Sequence, residues 1–320
     1  MRLDICLATY NGAPWIGEFL NSLDAQTYAN WRLIVSDDDS QDNTVDLIRD
    51  HFVNIPGKLM VVERDSVRAG VIKNFQDAIK ASDADYILLA DQDDVWVPEK
   101  IEVLYETMCN VEQGQRNIPT LVFSDLDLVD EQLQSLDRSW LSFSSASPSW
   151  AISFGQLLCQ NVVPGCSMML NRSLTDLSLP FPPKIIMHDW WLLLICSAFG
   201  KVGFCPDRLV RYRRHIDAHT YLELEQEGPM SRLYRYLSGG FAGRKTMRDM
   251  YERTVLQARL FAHTYKNHLE GLHEGGSIQK VLEAYMASLE KGWLLRRWLL
   301  MKHHIRYSSL LDTVKFYIYI

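Results

Sequence analysis

The sequence predicts an α/β protein with a mostly parallel sheet flanked by helices and a helical C-terminal extension. Three observations lead there. Short apolar runs alternate with amphipathic stretches through the first half, the pattern of βαβ units. Polar, carboxylate-rich clusters follow the apolar runs, where open parallel sheets place their ligands. After Tyr221 no strand pattern is evident before the last few residues, and glycine pairs at Gly239-Gly240 and Gly275-Gly276 break helical periodicity.

Leu3–Ala8 is the first apolar run, closed by the turn Thr9-Tyr10-Asn11-Gly12. Pro14 suits a helix start, and Trp15, Phe19, Leu20 and Leu23 follow at helical spacing. Trp31–Ser36 reads as a second strand and Asp42–Phe52 as a second helix. Lys58–Glu63 is a third strand, and Gly70–Ala81 a third helix with Val71, Phe75, Ala78 and Ile79 on one face. Tyr86–Ala90 is uniformly apolar, as expected of a strand covered on both sides. A helix from Glu99 to Cys109 and a strand Leu121–Ser124 complete the pattern. The Ser-, Trp- and Phe-rich stretch from Ser135 to Trp150 reads as a loop over a site.

With 320 residues, 47% hydrophobic and 23% charged, the chain has ordinary globular composition and room for about two structural units. No apolar run reaches the ~18 residues of a membrane-spanning helix. Six cysteines form no Cys-x-x-Cys pair and the N-terminus lacks a secretory signal pattern, so the expectation is a cytoplasmic protein with reduced thiols. Residues 1–220 hold 18 Lys+Arg against 30 Asp+Glu, and residues 221–320 hold 15 against 10. An acidic body argues against nucleic acid as a partner and suits a divalent cation; the basic end suits an anionic surface.

Asp37-Asp38-Asp39-Ser40, Asp91-Gln92-Asp93-Asp94 and Asp125-Leu126-Asp127 each follow a strand. Carboxylates converging on one crevice are costly unless a cation or hydrogen-bond donors neutralise them. Asp39-Ser40-Gln41-Asp42 also reads as a turn and helix cap, a role compatible with binding. Hard oxygen donors favour Mg²⁺ or Mn²⁺, which usually bridge to substrate phosphates. No phosphate-binding glycine loop is present to do that work.

Leu7-Ala8-Thr9-Tyr10-Asn11-Gly12, Val35-Ser36-Asp37-Asp38 with Ser40, Asp42, Asn43 and Thr44, and Leu89 through Trp96 resemble family 2 glycosyltransferases of the GT-A fold. The likeness is greatest to the bacterial rhamnosyltransferase-like branch that builds surface polysaccharides, and it runs from residue 3 to about 215. The resemblance implies a catalytic domain over 1–220, with a nucleotide-binding half to about 125 and an acceptor half from 126, followed by a basic helical region over 221–320. It implies that Thr9, Tyr10, Asn11, Asp37, Asp38 and Asp91 hold the donor nucleotide, and that Asp91, Asp93 and His215 hold the metal, Mn²⁺ or Mg²⁺. Asp94, Trp96, Gly165, His188, Trp190, Trp191 and Arg213 are implied on the acceptor or diphosphate side, with Trp190 and Trp191 as candidate sugar-stacking rings of which one is expected in the core. Asp189, in His188-Asp189-Trp190-Trp191 at a helix start, is the implied general base; a helix N-terminus should keep its carboxylate ionised. Asp39 departs from the family, which usually has Gly there; a residue without easy access to φ > 0 would reshape this turn, although Asp tolerates the left-handed region better than most.

The implied reaction is metal-dependent and inverting. A sugar such as rhamnose, glucose or galactose passes from a UDP- or dTDP-linked donor to a lipid-linked oligosaccharide of a surface polysaccharide such as O-antigen or capsule. From Lys291 to Ile320 six cations face one acid, interleaved with Trp and Leu, which reads as a helix lying on the inner face of an anionic membrane or packing on the catalytic domain. Two competing enzyme classes fit less of the chain. A haloacid-dehalogenase-like phosphatase would use Asp125 and Asp127, but 120 ordered-looking residues precede a motif that should open its domain. A sugar-phosphate nucleotidyltransferase would need a Gly-rich N-terminal Arg loop that is absent. A noncatalytic sugar-binding protein has no use for metal carboxylates plus a base.

Overall fold

The structure, a computed structural model, describes residues 1–63, 68–214, 240–271 and 276–320. His215 and His219, Gly239 and Gly275 lie outside the described residues. The chain divides into two compact units: 1–144 with 161–181 and 187–214, and 145–160 with 182–186 and 215–320.

The first unit is built on a mixed sheet of strands β1 (Leu3–Thr9), β2 (Trp31–Asp37), β3 (Leu59–Val61), β4 (Tyr86–Asp91), β5 (Val95–Trp96), β6 (Thr120–Val129), β7 (Ser135–Ser139), β8 (Met168–Asn171) and β9 (Lys201–Arg213). Their spatial order is β3-β2-β1-β4-β8-β6-β9-β5, with β7 paired to β6. The β3-β2-β1-β4 half is parallel. Helices α1 (Ile16–Asp24), α2 (Thr44–Phe52) and α3 (Val71–Ala81) connect these strands. Leu3, Ile5, Leu7, Leu33, Val35, Leu88 and Ala90 are all fully buried, as apolar strands sandwiched between helices require.

Beyond β4 the sheet changes hand. β8 runs antiparallel to both β4 and β6, pairing Leu88 with Met169 and Val122 with Met169. Because β8 runs down beside β4, the short turn Gly165–Ser167 before it lies next to the carboxyl end of β4. β6 pairs with β9 in parallel, and the register slips between Ser124 and Asp125, where Ser124 faces Cys205 but Asp125 faces Arg208. The extra residues on β9 make a bulge that accommodates Pro206, whose missing N–H cannot join a ladder.

Helix α4 (Lys100–Glu112) continues past the expected Cys109 because Glu112 is buried and accepts hydrogen bonds from the Tyr86 hydroxyl (2.6 Å) and Asn171 Nδ2 (2.8 Å). The Ser135–Trp150 stretch is not a plain loop: it forms β7, α5 (Trp140–Ser144) and the start of α6 (Pro148–Ala151). Helix α7 (Phe154–Leu157) follows, then α8 (Arg172–Ser178) and α9 (His188–Phe199).

The second unit contains α6, α7, α10 (Gly240–Thr264), α11 (Lys266–Gly271), α12 (Gly276–Ser288), α13 (Trp293–Lys302) and α14 (Leu310–Tyr319). Its core holds Tyr251, Phe261, Tyr285, Leu300, Ile305 and Phe316. Each buried tyrosine hydroxyl has a partner, Tyr251 with Ser288 at 2.5 Å and Tyr285 with Thr254 at 2.7 Å, which removes the cost of desolvating it. Among the described residues no helix is long and apolar enough to cross a membrane.

Candidate active site

The ends of β1 and β2 come together first. They are parallel neighbours in register, so Thr9 lies opposite Asp37. The Thr9 hydroxyl donates to Asp37 Oδ1 (2.7 Å), and Ser40 donates to the same carboxylate from its N–H (2.7 Å) and its hydroxyl (2.6 Å). Asn11 N–H donates to Ser40 Oγ (2.8 Å), while Asn11 Oδ1 accepts from Gln41 N–H (2.8 Å). Both Asn11 (φ 46°) and Asp39 (φ 68°) occupy the left-handed region, where Asn and Asp are tolerated best after glycine. Asp38 points elsewhere. It is buried, and its two oxygens accept the N–H groups of Ala69 (2.7 Å) and Gly70 (2.9 Å), fastening the segment that leads into α3.

Gln92 clamps the first turn to the fourth strand. Its amide accepts from Tyr10 N–H (3.0 Å) and donates to Tyr10 O (2.8 Å). A Cβ on Gly12 would stand 2.1 Å from Gln92 Oε1, so glycine there lets the clamp close.

The carboxylates after β4 gather tightly. Ligand atoms of Asp91, Asp94 and Cys166 all lie within 4.8 Å of one another. Asp94 Oδ1 accepts the Arg213 N–H (3.2 Å), and Oδ2 is buried with no hydrogen-bond partner. Burial first, and then the neighbouring charges of Asp93 and Asp189, raise the Asp91 carboxyl above the usual range. Asp94 is pushed up for the same reasons, by burial and then by Asp93 and Asp91. An orphaned carboxylate oxygen among mutually repelling acids fits a hard divalent cation, and Asp91 and Asp94 are the carboxylates grouped to hold one. Asp93 is half-buried and does not share the Asp91–Asp94–Cys166 grouping, although its charge acts on both acids.

Lys100 is the group sequence reasoning missed. It opens α4, is fully buried, and donates from Nζ to Cys166 O (2.6 Å) with Nζ 3.4 Å from the Trp96 ring centroid. Burial lowers its pKa to about 7, against the opposing pull of Asp94 and Asp91. A lysine at a helix start reads as solvated; the only available signal was that so many carboxylates needed a resident cation.

Asp189 stands across the Gly165 turn. Its Oδ2 accepts Gly165 N–H (3.2 Å) and its Oδ1 accepts Trp190 N–H (2.6 Å), with the Asn161 side chain also bonded to it. The helix N-terminus is expected to keep this carboxylate ionised and able to accept a proton. Burial outweighs those three donors and raises the pKa to about 6. Met187, not Asp189, is the N-cap of α9. His188 is buried beneath the same turn, stacked on Phe75 (centroids 3.9 Å apart), with neither ring nitrogen hydrogen-bonded, and burial lowers its pKa to about 3. A Cβ on Gly165 would come within 3.0 Å of His188 Nε2 and 3.4 Å of Asp189 Cβ.

Of Trp190 and Trp191 one was expected in the core, and both are buried there, as is Trp96. Trp96 packs edge-on against Phe19 (5.8 Å), and Trp190 and Trp191 lie inside α9's apolar surroundings. Large aromatic area in a close-packed interior is worth more than an exposed face, so these rings stabilise the site rather than present a platform. Arg213 likewise turns inward. Its guanidinium donates to the Asp93 carbonyl (2.9 Å), to the Glu131 carbonyl and to the Glu18 carboxylate, and lies 4.7 Å from the Trp15 ring centroid. Asp125 accepts Leu141 N–H (3.1 Å), and Asp127 accepts from Arg208 (3.2 Å) and Ser135 (3.3 Å). Both hold β6 to its neighbours, which removes the free nucleophile that the phosphatase reading requires.

Residues 4–117 match the family model described as Glycosyl transferase family 2. Among curated proteins, the chain is 25% identical over 249 residues to the UDP-Glc:alpha-D-GlcNAc-diphosphoundecaprenol beta-1,3-glucosyltransferase WfgD of Escherichia coli, covering 74% of this chain and 91% of WfgD. It is 27% identical over 191 residues to the dTDP-rhamnosyl transferase RfbG of Shigella flexneri, covering 58% of this chain and 63% of RfbG. It is 23% identical to an uncharacterised glycosyltransferase of Nostoc sp., covering 67% of this chain and 65% of that protein. The chain thus spans just under two thirds of the Nostoc and Shigella relatives. Among solved structures, TarS of S. aureus (residues 1–349, in complex with UDP-GlcNAc) superposes with a TM-score of 0.56 at 14% identity, covering 100% of this chain and 90% of that one. The architecture is the GT-A fold. Strand-end motifs, sheet order and relatives agree in one likeness, to glycosyl transferase family 2, whose model matches the N-terminal third of the chain.

Proposed function

We propose that the protein transfers a sugar from a nucleoside-diphosphate sugar, UDP- or dTDP-linked, to a hydroxyl of a lipid-linked oligosaccharide, with inversion at the anomeric carbon. The observation that carries the reading is the meeting of two acid groups at one strand end: Asp91, Asp93 and Asp94 after β4, and Asp189 joined to them through the Gly165–Cys166 turn. Thr9, Tyr10, Asn11 and Asp37 border the donor nucleotide side. When bound at Asp91, Asp93 and Asp94, Mn²⁺ or Mg²⁺ supplies positive charge for the departing diphosphate.

Asp189 accepts the proton of the acceptor hydroxyl as that oxygen forms its bond to the anomeric carbon. The bond from that carbon to the diphosphate oxygen breaks, and the nucleoside diphosphate leaves with the electron pair. A single in-line displacement of this kind inverts the carbon. A carboxylate with a pKa near 6 is ionised at neutral pH yet basic enough to share a proton in the transition state. Burial of the site's walls keeps the reacting groups out of bulk water.

The lipid-linked acceptor is supported by WfgD, whose name specifies a diphosphoundecaprenol acceptor, and the polysaccharide role by WfgD and RfbG together. Residues 291–320 would then hold the enzyme on the inner, anionic face of the membrane, where such an acceptor lies. The experiment is a thermal-shift and calorimetric screen against UDP and dTDP with and without Mn²⁺. Asp93→Ala should abolish the Mn²⁺-dependent part of binding while the unliganded melting temperature stays within a few degrees; unchanged metal-dependent binding refutes the donor site.

A further inference from the structure

In sequence, residues 291–320 read as a basic helix with Trp and Leu on its apolar side, six cations against one acid, lying on an anionic membrane or packing on the catalytic domain. The structure spends those cations differently. Arg296 donates from Nη1 to the Ile320 carbonyl (2.8 Å), from Nη2 to those of Leu289 and Lys291 (3.0 Å each), and from Nε to that of Ser288 (3.0 Å). Arg297 is buried and donates to the carbonyls of Trp293 (3.0 Å) and Ile318 (2.9 Å). Both guanidiniums therefore satisfy carbonyls left over at the C-terminal ends of α12 and α14, and they staple α13 to those helices. Lys315 pairs with Asp312 at 3.6 Å, and Arg306 stands 5.4 Å from the Trp150 ring centroid. Lys291 and Lys302 remain at the two ends of α13, Lys302 lying 4.8 Å from the exposed Trp298 ring.

With the arginines turned inward, the outer surface is apolar. Leu294, Trp298 and Met301 follow at i, i+4 and i+7 on α13, and Leu310, Val314 and Ile318 at i, i+4 and i+8 on α14; all six are between 40% and 81% exposed. The two stripes adjoin at one end, because the Arg297 guanidinium bonds a carbonyl from each helix. Exposed apolar stripes on two neighbouring helices mark a contact surface.

We infer that α13 and α14 form an apolar docking face that inserts into the headgroup–acyl boundary of a bilayer, with Lys291 and Lys302 flanking it at headgroup level. The inference deepens the membrane reading above and rests on it for the acceptor's location. Charge favours lipid over a second copy of the chain. α13 carries no acid, and Asp312 on α14 is tied to Lys315 and to Ser309 (2.6 Å), so a self-paired face would set lysines against lysines with no carboxylate to answer them. Anionic headgroups answer both. The driving force is burial of Trp and Leu side chains, with electrostatics secondary.

Vesicle flotation of the full chain tests this, using phosphatidylcholine vesicles with and without phosphatidylglycerol at low and high salt. The wild type should float with both compositions and keep most of its binding in high salt. The double variant Leu294→Ser/Trp298→Ser should lose roughly tenfold or more of its partition coefficient, while Lys291→Gln/Lys302→Gln loses only a few-fold, and only on anionic vesicles. The substituted side chains are exposed, so urea midpoints should be unchanged and confirm folding. Complete release by salt, equal binding by the serine variant, or a concentration-dependent dimer that the serine variant abolishes would each overturn the proposal. Mn²⁺-dependent nucleotide binding, measured on the same variants, should be unaffected; its absence in the wild type would instead count against the transferase reading.

Discussion

Asp189, the proposed base, shows how opposed effects set the proton affinity of one carboxylate. Three donors, Trp190 N–H, Gly165 N–H and Asn161, favour the ionised form, and burial disfavours it by more. The balance near 6 predicts a pH profile. The base is ionised above that pKa and protonated below it, so kcat/KM should be flat at neutral pH and fall about tenfold per unit as pH drops below about 6. Asp189→Asn preserves shape and loses the proton affinity. Its turnover should fall by roughly 10²-fold or more with nucleotide affinity within a few-fold, and the acid limb should vanish from whatever activity remains. Turnover near that of the wild type would reduce Asp189 to a residue that only ties α9 to the Gly165 turn.

At the scale of elements, the Pro164–Ser167 turn joins both halves of the candidate site. Its Cys166 carbonyl receives Lys100 from α4, its Cys166 thiol stands by Asp91 and Asp94, and its Gly165 N–H reaches Asp189, the proposed base, on α9. Lys100→Met keeps the aliphatic length and removes the donor. Leaving a buried carbonyl unpaired costs about 1–3 kcal/mol, which a urea denaturation series would read as a lowered midpoint. The turn would also be freer to move, so kcat should drop by about tenfold while the KM for donor changes little. An unchanged kcat would show that the turn holds its place without the lysine.

The same elements show what could be read from the sequence. β1, β2 and β4 were legible because a strand covered on both faces is mostly apolar: Leu3–Thr9 and Trp31–Asp37 depart from that only at the Asp4–Arg32 ion pair and at their polar carboxyl ends, and Tyr86–Asp91 only at its last residue. β9 was not, since Lys201–Arg213 interleaves Pro206, Asp207 and Arg208 at a bulge that only the partner strand β6 explains. β5 is two residues long and exists only by pairing with Val210 and Arg211. The strand-end acids pointed to the candidate site by the cost of gathering them. Their division of labour was hidden, because whether Asp38 faces a ligand or the Ala69 and Gly70 amides depends on a chain segment about thirty residues away. Arg213 and Trp96 were expected at the substrate for their residue types, and long-range packing assigned both to the interior.

The whole molecule carries six cysteines, of which Cys109 is exposed and Cys6, Cys159, Cys166, Cys196 and Cys205 are buried and all are free thiols. Burial pushes the buried thiols away from the reactive thiolate form. A thiol-specific reagent such as Ellman's should therefore titrate one group rapidly in the native protein and six in denaturant. Fast native reaction of a second thiol, especially Cys166, would show that the site opens in solution to a degree this packing forbids. The acidic N-terminal residues and the basic C-terminal ones divide along functional lines: acids gather where phosphate and metal chemistry is proposed, cations where helix ends need closing.

Arg213 has a consequence for anyone who would re-engineer the acceptor preference. Its single guanidinium fastens Glu18 of α1, the Asp93 carbonyl after β4 and the Glu131 carbonyl beyond β6. A chimera that imports a relative's β6–β7 segment therefore exchanges one of the three anchor points of a shared rivet. Grafts that keep the backbone path at Glu131 should transplant cleanly, and those that alter its length would loosen the donor side from a position that never touches it.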